Sequence, residues 1–412
     1  MTAGDGAGFN HPGTRRQRPP AETLAWLQPR LAEFGITRVA NITGLDRIGV
    51  PVATAVRPTS RTLAVSQGKG LGLTEAKVSA IMESIEMLCA ERPALPLIMA
   101  SRSDLAHAGR TVLDMDRMPL VGEPIDPGLP LLWLEGRDLT SGASTCVPYA
   151  CVALDDTVGA MPTPPSIPSN SNGLASGNTT IEATVHALCE VIERDAATLW
   201  RLSPPARRAD TAVDLATVDD PLGRQLLDRF AAAGLEVRLF EITSDVGIPA
   251  YEAMICEADR DRTREPFAAA GAGCHPWRGI ALTRALTEAA QCRLTLIAGA
   301  REDLLSDDYA PGGARAAGLA DYLEMGASSS RTFRRAGDLD PLAHLSFEGT
   351  LGRLLDALAA VGASQVVAVD LTLARFGIPV VKVLVPGLEG VAHEAGFRPG
   401  SRARRAARLG RP

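Results

Sequence analysis

Aromatic residues supply only 4% of the 412 positions, whereas hydrophobic residues of all kinds supply 46%. The interior must therefore be built mainly from Ala, Val, Leu and Ile, a composition that suits closely packed helices on a sheet. No uninterrupted apolar run reaches the roughly 18 residues of a membrane-spanning helix. The N-terminus, with Arg15, Arg16 and Arg18 ahead of Pro19 and Pro20, lacks the apolar stretch of a signal peptide. A soluble, cytoplasmic protein with no membrane partner is expected. Cysteine is sparse, with seven residues and no CxxC pair, which argues against a structural zinc site and for a reducing compartment. Basic excess is missing too: the formal net charge is −6, and no basic stripe with interleaved aromatics runs through the body. Nucleic-acid binding is excluded on that ground.

The length accommodates one large domain or two smaller ones. Residues 1–20 are rich in Gly, Pro and charge without apolar periodicity and read as a disordered arm. Helical spacing follows over 21–34, then short β-type runs at 39–43, 51–56 and 62–65. A glycine-rich turn at 68–72 precedes a long helix over 74–91. A proline- and asparagine-rich loop, 161–178, leads into a second long helix over 180–202. Beyond it come a helix at 222–233, strands near 236–242, 250–256 and 267–270, and a third long helix at 279–298. Residues 303–345 read as irregular, followed by a helix at 351–361 and strands at 365–370 and 379–385. The fold class is α/β (α+β), long helices on mixed sheets. The main domain occupies 21–395, with 21–160 and 161–395 as candidate subdomains and 396–412 as a basic disordered tail.

The three long helices share an unusual pattern. At about 100° per residue, positions i, i+4 and i+7 of a helix fall on one narrow stripe. In the first helix these are Ser79, Glu83 and Glu86, and in the third they are Arg284, Glu288 and Gln291. The second carries Glu182, His186, Glu190 and Glu193, with Arg194 beside them. Apolar residues flank the stripes, among them Ile81, Met82 and Ile85, then Val185, Leu188 and Ile192. Burying one unpaired ionised carboxylate costs several kcal/mol, a large share of a domain's net stability. Four such glutamates call for divalent cations, and magnesium usually takes one or two carboxylates together with phosphate oxygens and water. A di-iron carboxylate bundle would need Glu-x-x-His pairs from two helices; here Glu83 leads to Glu86 and Glu190 to Glu193.

Other features are less specific. Lys69 sits in Gly68-Lys69-Gly70, which fits phosphate contact or an ordinary loop, and it does not match the pattern G-x-x-x-x-G-K-[ST]. The segment from Asn172 to Asn178 suits either a ligand-binding turn before a helix N-terminus or a simple capped loop. The dipeptide Cys274-His275 is a weak nucleophile-and-base candidate, since adjacent residues seldom face each other productively. His186 lies on the carboxylate stripe, as a site residue or as a hydrogen-bonded core histidine.

These residues resemble the motifs of the YcaO family of ATP-dependent enzymes. The resemblance runs from about Thr37 to Glu389 and is carried by SxxxExxE at Ser79, Glu83 and Glu86, by NGxAxGN…E from Asn172 to Glu182, by ExxER at Glu190, Glu193 and Arg194, and by RAxTExxQxR from Arg284 to Arg293. It implies a YcaO-type ATP-binding fold. Lys69, Ser79, Asn172, Asn178, Glu182, Arg194, Arg284, Glu288 and Gln291 would serve the nucleotide, and Glu83, Glu86, Glu190 and Glu193 would hold magnesium. Arg194, Glu193 and Gln291 would carry the catalytic step. In that family a nucleophile attacks a backbone amide carbonyl and the resulting oxygen is phosphorylated by ATP, giving azolines, amidines or thioamides.

The stretch from Ile36 to Val52 is similar to the subgroup that works beside a TfuA-like partner in peptide thioamidation with a sulfur donor. Azoline-forming members often end in a proline-spaced tail, whereas this chain ends in Arg408-Leu409-Gly410-Arg411-Pro412. The expectation is thus a peptide or protein substrate, a TfuA-like partner, a sulfur donor and a homodimer. An azoline-forming cyclodehydratase and a non-catalytic ATP-binding scaffold are the alternatives.

Overall fold

The computed structural model describes residues 9–121, 123–157, 164–258, 268–309, 325, 331–333, 346–390 and 397–408. The chain opens with antiparallel strands β1 (Phe9–His11) and β2 (Thr14–Arg16), turned by Gly13 at φ +73°. Helix α1 (Pro20–Leu27) begins on a proline, whose fixed φ suits a first turn. Strands β3 (Arg38–Asn41), β4 (Val52–Val56) and β5 (Val65–Lys69) form an antiparallel sheet, and α2 (Leu73–Glu91) lies on it.

Next come β6 (Ile98–Ser101), α3 (Arg102–His107), β7 (Pro130–Asp138), β8 (Ser144–Pro148) and β9 (Leu174–Ser176). Helix α4 (Thr180–Arg201) is capped by the Thr179 hydroxyl, which accepts from the Glu182 N–H. Then follow α5 (Pro205–Ala209), β10 (Val213–Asp214), α6 (Pro221–Ala232), β11 (Leu235–Glu241), β12 (Ala250–Glu257), β13 (Ala268–Cys274) and α7 (Arg278–Ala298). The last elements are β14 (Arg331–Thr332), α8 (Phe347–Ala360), β15 (Val367–Asp370), β16 (Val380–Leu384) and α9 (Ser401–Arg408).

The central sheet is six-stranded, ordered β6-β7-β15-β16-β9 with β8 also on β7. It takes strands from both sides of residue 160, so the suggested subdomain division cuts through one sheet. Its central strand β16 is buried throughout. Val380 and Leu384 pack with Ile81, Ile85 and Leu134 on the α2 side, while Val381 and Val383 pack with Leu188, Ile192 and Leu354 on the α4 and α8 side. This is the period-two alternation of a strand covered on both faces. A third core joins α6 and α7 to the β11-β12-β13 sheet through Leu226, Phe230, Leu282 and Leu286.

Two contacts explain how α2 and α7 sit so close to their sheets. A Cβ on Gly68 of β5 would lie 2.1 Å from the Ala80 nitrogen of α2, and one on Gly271 of β13 would lie 2.2 Å from the Ala289 nitrogen of α7. Glycine on the strand opposite alanine on the helix permits backbone-to-backbone approach.

Several expectations are corrected. The strand placed at 62–65 begins at Val65 and extends to Lys69, because Gly68 serves helix packing and not a turn. Strands β6, β7 and β8 were not anticipated. The arm expected to be without structure is a hairpin over residues 9–16, because Arg15 is buried between the Phe347 and Trp277 rings (5.1 and 5.6 Å) and donates to the Thr350 hydroxyl at 3.2 Å. The basic tail forms α9, because Arg402 is buried against Asp195 (Nε–Oδ1 3.0 Å, Nη2–Oδ2 2.8 Å) and reaches Asp245. Residues 1–8, 158–163, 409–412 and most of 303–345 lie outside the described residues. Among the described residues no helix is long and apolar enough to cross a membrane.

Candidate active site

α2, α4 and α7 turn their polar stripes onto one cavity of about 920 Å³. Ser79, Glu83 and Glu86 enter from α2. Glu182, His186, Glu190, Glu193 and Arg194 enter from α4, and Arg284, Glu288 and Gln291 from α7; Lys69 of β5 and Asn178 ahead of α4 complete the set. Among the residues expected at the site, Asn172 is the exception. It lines a separate cavity of about 50 Å³ beside Lys382 and Glu389, because Gly173 at φ +78° turns the chain back onto β16 before Asn178 is reached.

The polar contacts assign each carboxylate a setting. The Ser176 N–H and hydroxyl both donate to Glu86 Oε1, at 2.8 and 2.6 Å. The Cys274 N–H donates to Glu193 Oε2 at 2.9 Å. Lys69 Nζ donates to Glu288 Oε2 at 2.8 Å. Arg194 lies 4.0 Å from Glu190 and 3.9 Å from Glu193. Glu182, 2% exposed, accepts from Asn178 Nδ2, from Arg16 Nη1 at 3.3 Å and from the Gln17 N–H at 3.0 Å.

Burial dominates the electrostatics. It raises Glu83 to about 7 against the pull of Arg301 and Lys69, Glu86 to about 8 against the Ser176 hydrogen bonds, and Glu190 to about 7 against Arg194. Burial, then the charge of Glu288, also raises Glu193. Glu288 moves the other way: burial opposes its ionisation, but Lys69 and Arg194 hold it at about 2. Burial, with Arg284 adjacent, keeps His186 neutral. Its Nε2 therefore accepts from Arg284 Nη1 at 3.1 Å. The Cys274 thiol is raised by burial and the His275 imidazole is lowered to about 3, also by burial. The pair contributes a backbone donor to Glu193 and is no thiolate–imidazolium couple.

Sequence reasoning left out several cavity residues. Ser176 had no assigned role, although it lay within the quoted asparagine-glycine segment. Thr14, Arg16 and Arg18 reach the cavity from the N-terminal hairpin and its exit, and Arg301 and Asp303 from the loop after α7. Nothing local in their sequence marks them, since their positions depend on contacts distant in the chain. Conversely, Arg293, the last residue of the fourth motif, is not among the cavity residues: it bridges Asp46 at 3.0 Å and Glu257 at 2.7 Å, bracing α7.

Fold and site together define an α/β protein whose helices present carboxylates and cationic groups to a nucleotide-sized cavity. The chain belongs to the YcaO family: the model for the YcaO cyclodehydratase, ATP- and Mg2+-binding, matches residues 67–389. It is 38% identical, over 90% of this chain and 87% of the relative, to an uncharacterized protein in the tfuA 3′ region of Rhizobium leguminosarum bv. trifolii. The structure of YcaO from Methanopyrus kandleri bound with AMPPCP and Mg2+ superposes with a TM-score of 0.73 at 25% identity, covering 95% of this chain and 98% of that one. A heterocyclase solved in complex with substrate and cofactor shares the fold at a TM-score of 0.76 and 22% identity; the chain covers 54% of that protein's length, 95% of its own.

The residues present fit ATP and Mg2+. Arg284 Nε, Gln291 Oε1 and His186 Nδ1 are buried at the cavity without a protein hydrogen-bond partner, and such groups are costly unless a ligand satisfies them. Among the described residues no group of three or more acidic, His or Cys side chains is gathered tightly enough to hold a metal alone. Magnesium bound here would complete its shell with phosphate oxygens and water.

Proposed function

We propose that this chain uses MgATP to activate a backbone amide of a peptide or protein, and that it does so for thioamide formation beside a TfuA-like partner and a sulfur donor. The observation that carries the reading is the convergence of Glu83, Glu86, Glu190 and Glu193 with Lys69, Arg194 and Arg284 on one cavity. The relative in the tfuA 3′ region supports the choice of partner.

Glu83, Glu86, Glu190 and Glu193 would hold magnesium. Lys69, Ser79, Arg194, Arg284 and Gln291 would take the phosphates, and Asn178, Glu182 and Glu288 would complete the nucleotide pocket. Bound MgATP supplies the phosphoryl group that turns an amide oxygen into a leaving group. Sulfide would add to the carbonyl carbon, the amide oxygen would take the terminal phosphoryl group with ADP released, and departure of that oxygen as inorganic phosphate with loss of the S–H proton would leave the carbon–sulfur double bond. Glu193 and Arg194 are fixed by the Cys274 N–H and by each other, so they can meet developing charge without reorganising. Glu288 keeps Lys69 pointed into the cavity. Asn172 has no part in this assignment.

The test is reconstitution of the full chain with the TfuA-like protein, a sulfide source and candidate precursor peptides, read by mass spectrometry. Exchange of one backbone oxygen for sulfur, dependent on ATP and magnesium, is expected. Loss of water without sulfur gain would instead assign azoline formation. MgATP binding with no turnover under any combination would assign a scaffold.

A further inference from the structure

The N-terminal hairpin is fastened in three places. Arg15 anchors it between the Phe347 and Trp277 rings and donates to the Thr350 hydroxyl at 3.2 Å. Its turn sits between the loop after β5 and α7, since a Cβ on Gly13 would lie 2.7 Å from the Leu71 side chain and 2.8 Å from that of Thr283. Its exit is tied to the first turn of α4, where Glu182 Oε1 accepts from Arg16 Nη1 at 3.3 Å and Oε2 accepts from the Gln17 N–H at 3.0 Å.

The last fastening extends through two residues already placed in the nucleotide pocket. The Thr23 hydroxyl donates to Asn178 Oδ1 at 2.9 Å, and Asn178 Nδ2 donates to both oxygens of Glu182, at 3.3 and 3.2 Å. Each Glu182 oxygen thus has two donors, which fills the about four acceptor sites of a carboxylate. Glu182 is the knot that joins the hairpin to α4.

Between these fastenings Gly13, Thr14, Arg16 and Arg18 line the cavity, whereas Arg15 does not. That is the alternation of an extended strand. Leu71 and Thr283 at one end and Glu182 at the other line the same cavity, so residues 13–18 span it from α7 to α4. They add the guanidinium groups of Arg16 and Arg18 to its lining, which suits an anionic ligand.

We propose that residues 13–18 are a strap that forms one wall of the nucleotide pocket, with Arg15 as its anchor and with Arg16 and the Gln17 N–H as positioning groups that join it to Glu182. The proposal rests on the reading of the cavity as the MgATP site. By linkage, if the fastened strap tightens MgATP, bound MgATP must hold the strap closed by the same factor.

The experiment is calorimetric titration of the full chain, Arg15→Ala and Arg15→Lys with MgATP, together with amide hydrogen exchange over residues 13–18 with and without MgATP. Arg15 does not line the cavity, so its replacement reaches the nucleotide only through the strap. Arg15→Ala is expected to weaken MgATP by about tenfold. Arg15→Lys, which keeps a cation for the rings and a donor for Thr350, should recover part of that loss. In the unaltered chain, saturating MgATP should slow exchange over residues 13–18 by about tenfold, a response that a brace indifferent to the nucleotide would not give. MgATP affinity within about twofold in a folded Arg15→Ala chain, or exchange unchanged by MgATP, would overturn the proposal. Tighter binding by Arg15→Ala would make the strap an obstruction and overturn it as well. Exchange is read on the unaltered chain, so it decides the matter even if Arg15→Ala fails to fold. Failure of the unaltered chain to bind MgATP would defeat the proposed function itself, and this proposal with it.

Discussion

Glu83, Glu86 and Glu190 are raised by burial to about 7, 8 and 7, so near neutral pH they are divided between protonated and charged forms. A carboxyl with a folded-state value above its ordinary one holds a proton that the unfolded chain has released. The native state is then the better proton binder, and stability falls as pH rises. The window opens near the ordinary carboxyl value of 4.5, and the loss runs through the folded-state values up to about 8 and is complete only above that. Without nucleotide or metal, the thermal midpoint should decline from pH 5.5 to 8.5, and Glu86→Gln should decline less because one such group is removed. Saturating MgATP should flatten the slope, since cations stabilise the charged form. A slope identical in wild type and Glu86→Gln would place Glu86 in solvated surroundings. These carboxylates were legible in the sequence because charged residues repeated at helical spacing between apolar ones. Arg301 and Asp303 were not, because one arginine and one aspartate in a polar loop carry no periodicity.

At the level of elements, two devices place the helices. The first is the glycine-to-alanine approach of β5 to α2 and of β13 to α7. Gly68→Ala would put a methyl group 2.1 Å from a main-chain nitrogen, which forces strand and helix apart. A loss of about 1–3 kcal/mol is expected from overpacking, measured by urea unfolding, with Lys69 and Ser79 displaced and MgATP weakened. Unchanged stability would show that the helix yields freely. The second device is α9. Arg402, 6% exposed, pairs with the fully buried Asp195 of α4, the residue after Arg194. Removing one member of a buried pair typically costs about 3–5 kcal/mol, so Arg402→Ala should destabilise on that scale, whereas Arg404→Ala, on an exposed side chain, should change little. The long helices themselves were predicted to within one or two residues. The hairpin and α9 were missed because their compositions are polar and their order comes from Glu182, Thr350 and Asp195, partners far away in sequence.

Across the whole molecule, the central sheet separates two cores and holds α2 on one side and α4 on the other. α7 arrives from a third core on the β11-β12-β13 sheet. The cavity therefore lies where three packed units meet, a usual place for a ligand site. The sequence alone named most of the charged lining, since each stripe sits on a strongly periodic helix. It could not show which stripe would meet which, nor that Asn172 turns aside, because both depend on long-range packing. Strands β6, β7 and β8 were overlooked for a related reason: β6 is mostly half-buried or exposed and β7 mixes exposed and half-buried positions irregularly around buried Trp133 and Leu134, which blurs the apolar signal.

The central claim is that the glutamates of α2 and α4 hold magnesium for a bound nucleotide. Calorimetric titration of the full chain with ATP, with and without magnesium, alongside Glu86→Gln and Glu190→Gln, tests it most directly. The account predicts binding that requires magnesium and weakens at least about tenfold in each variant, roughly the 1.4 kcal/mol of one lost charged contact. Magnesium-independent binding, or affinities unchanged in both variants, would contradict it and return the glutamate stripes to a structural role.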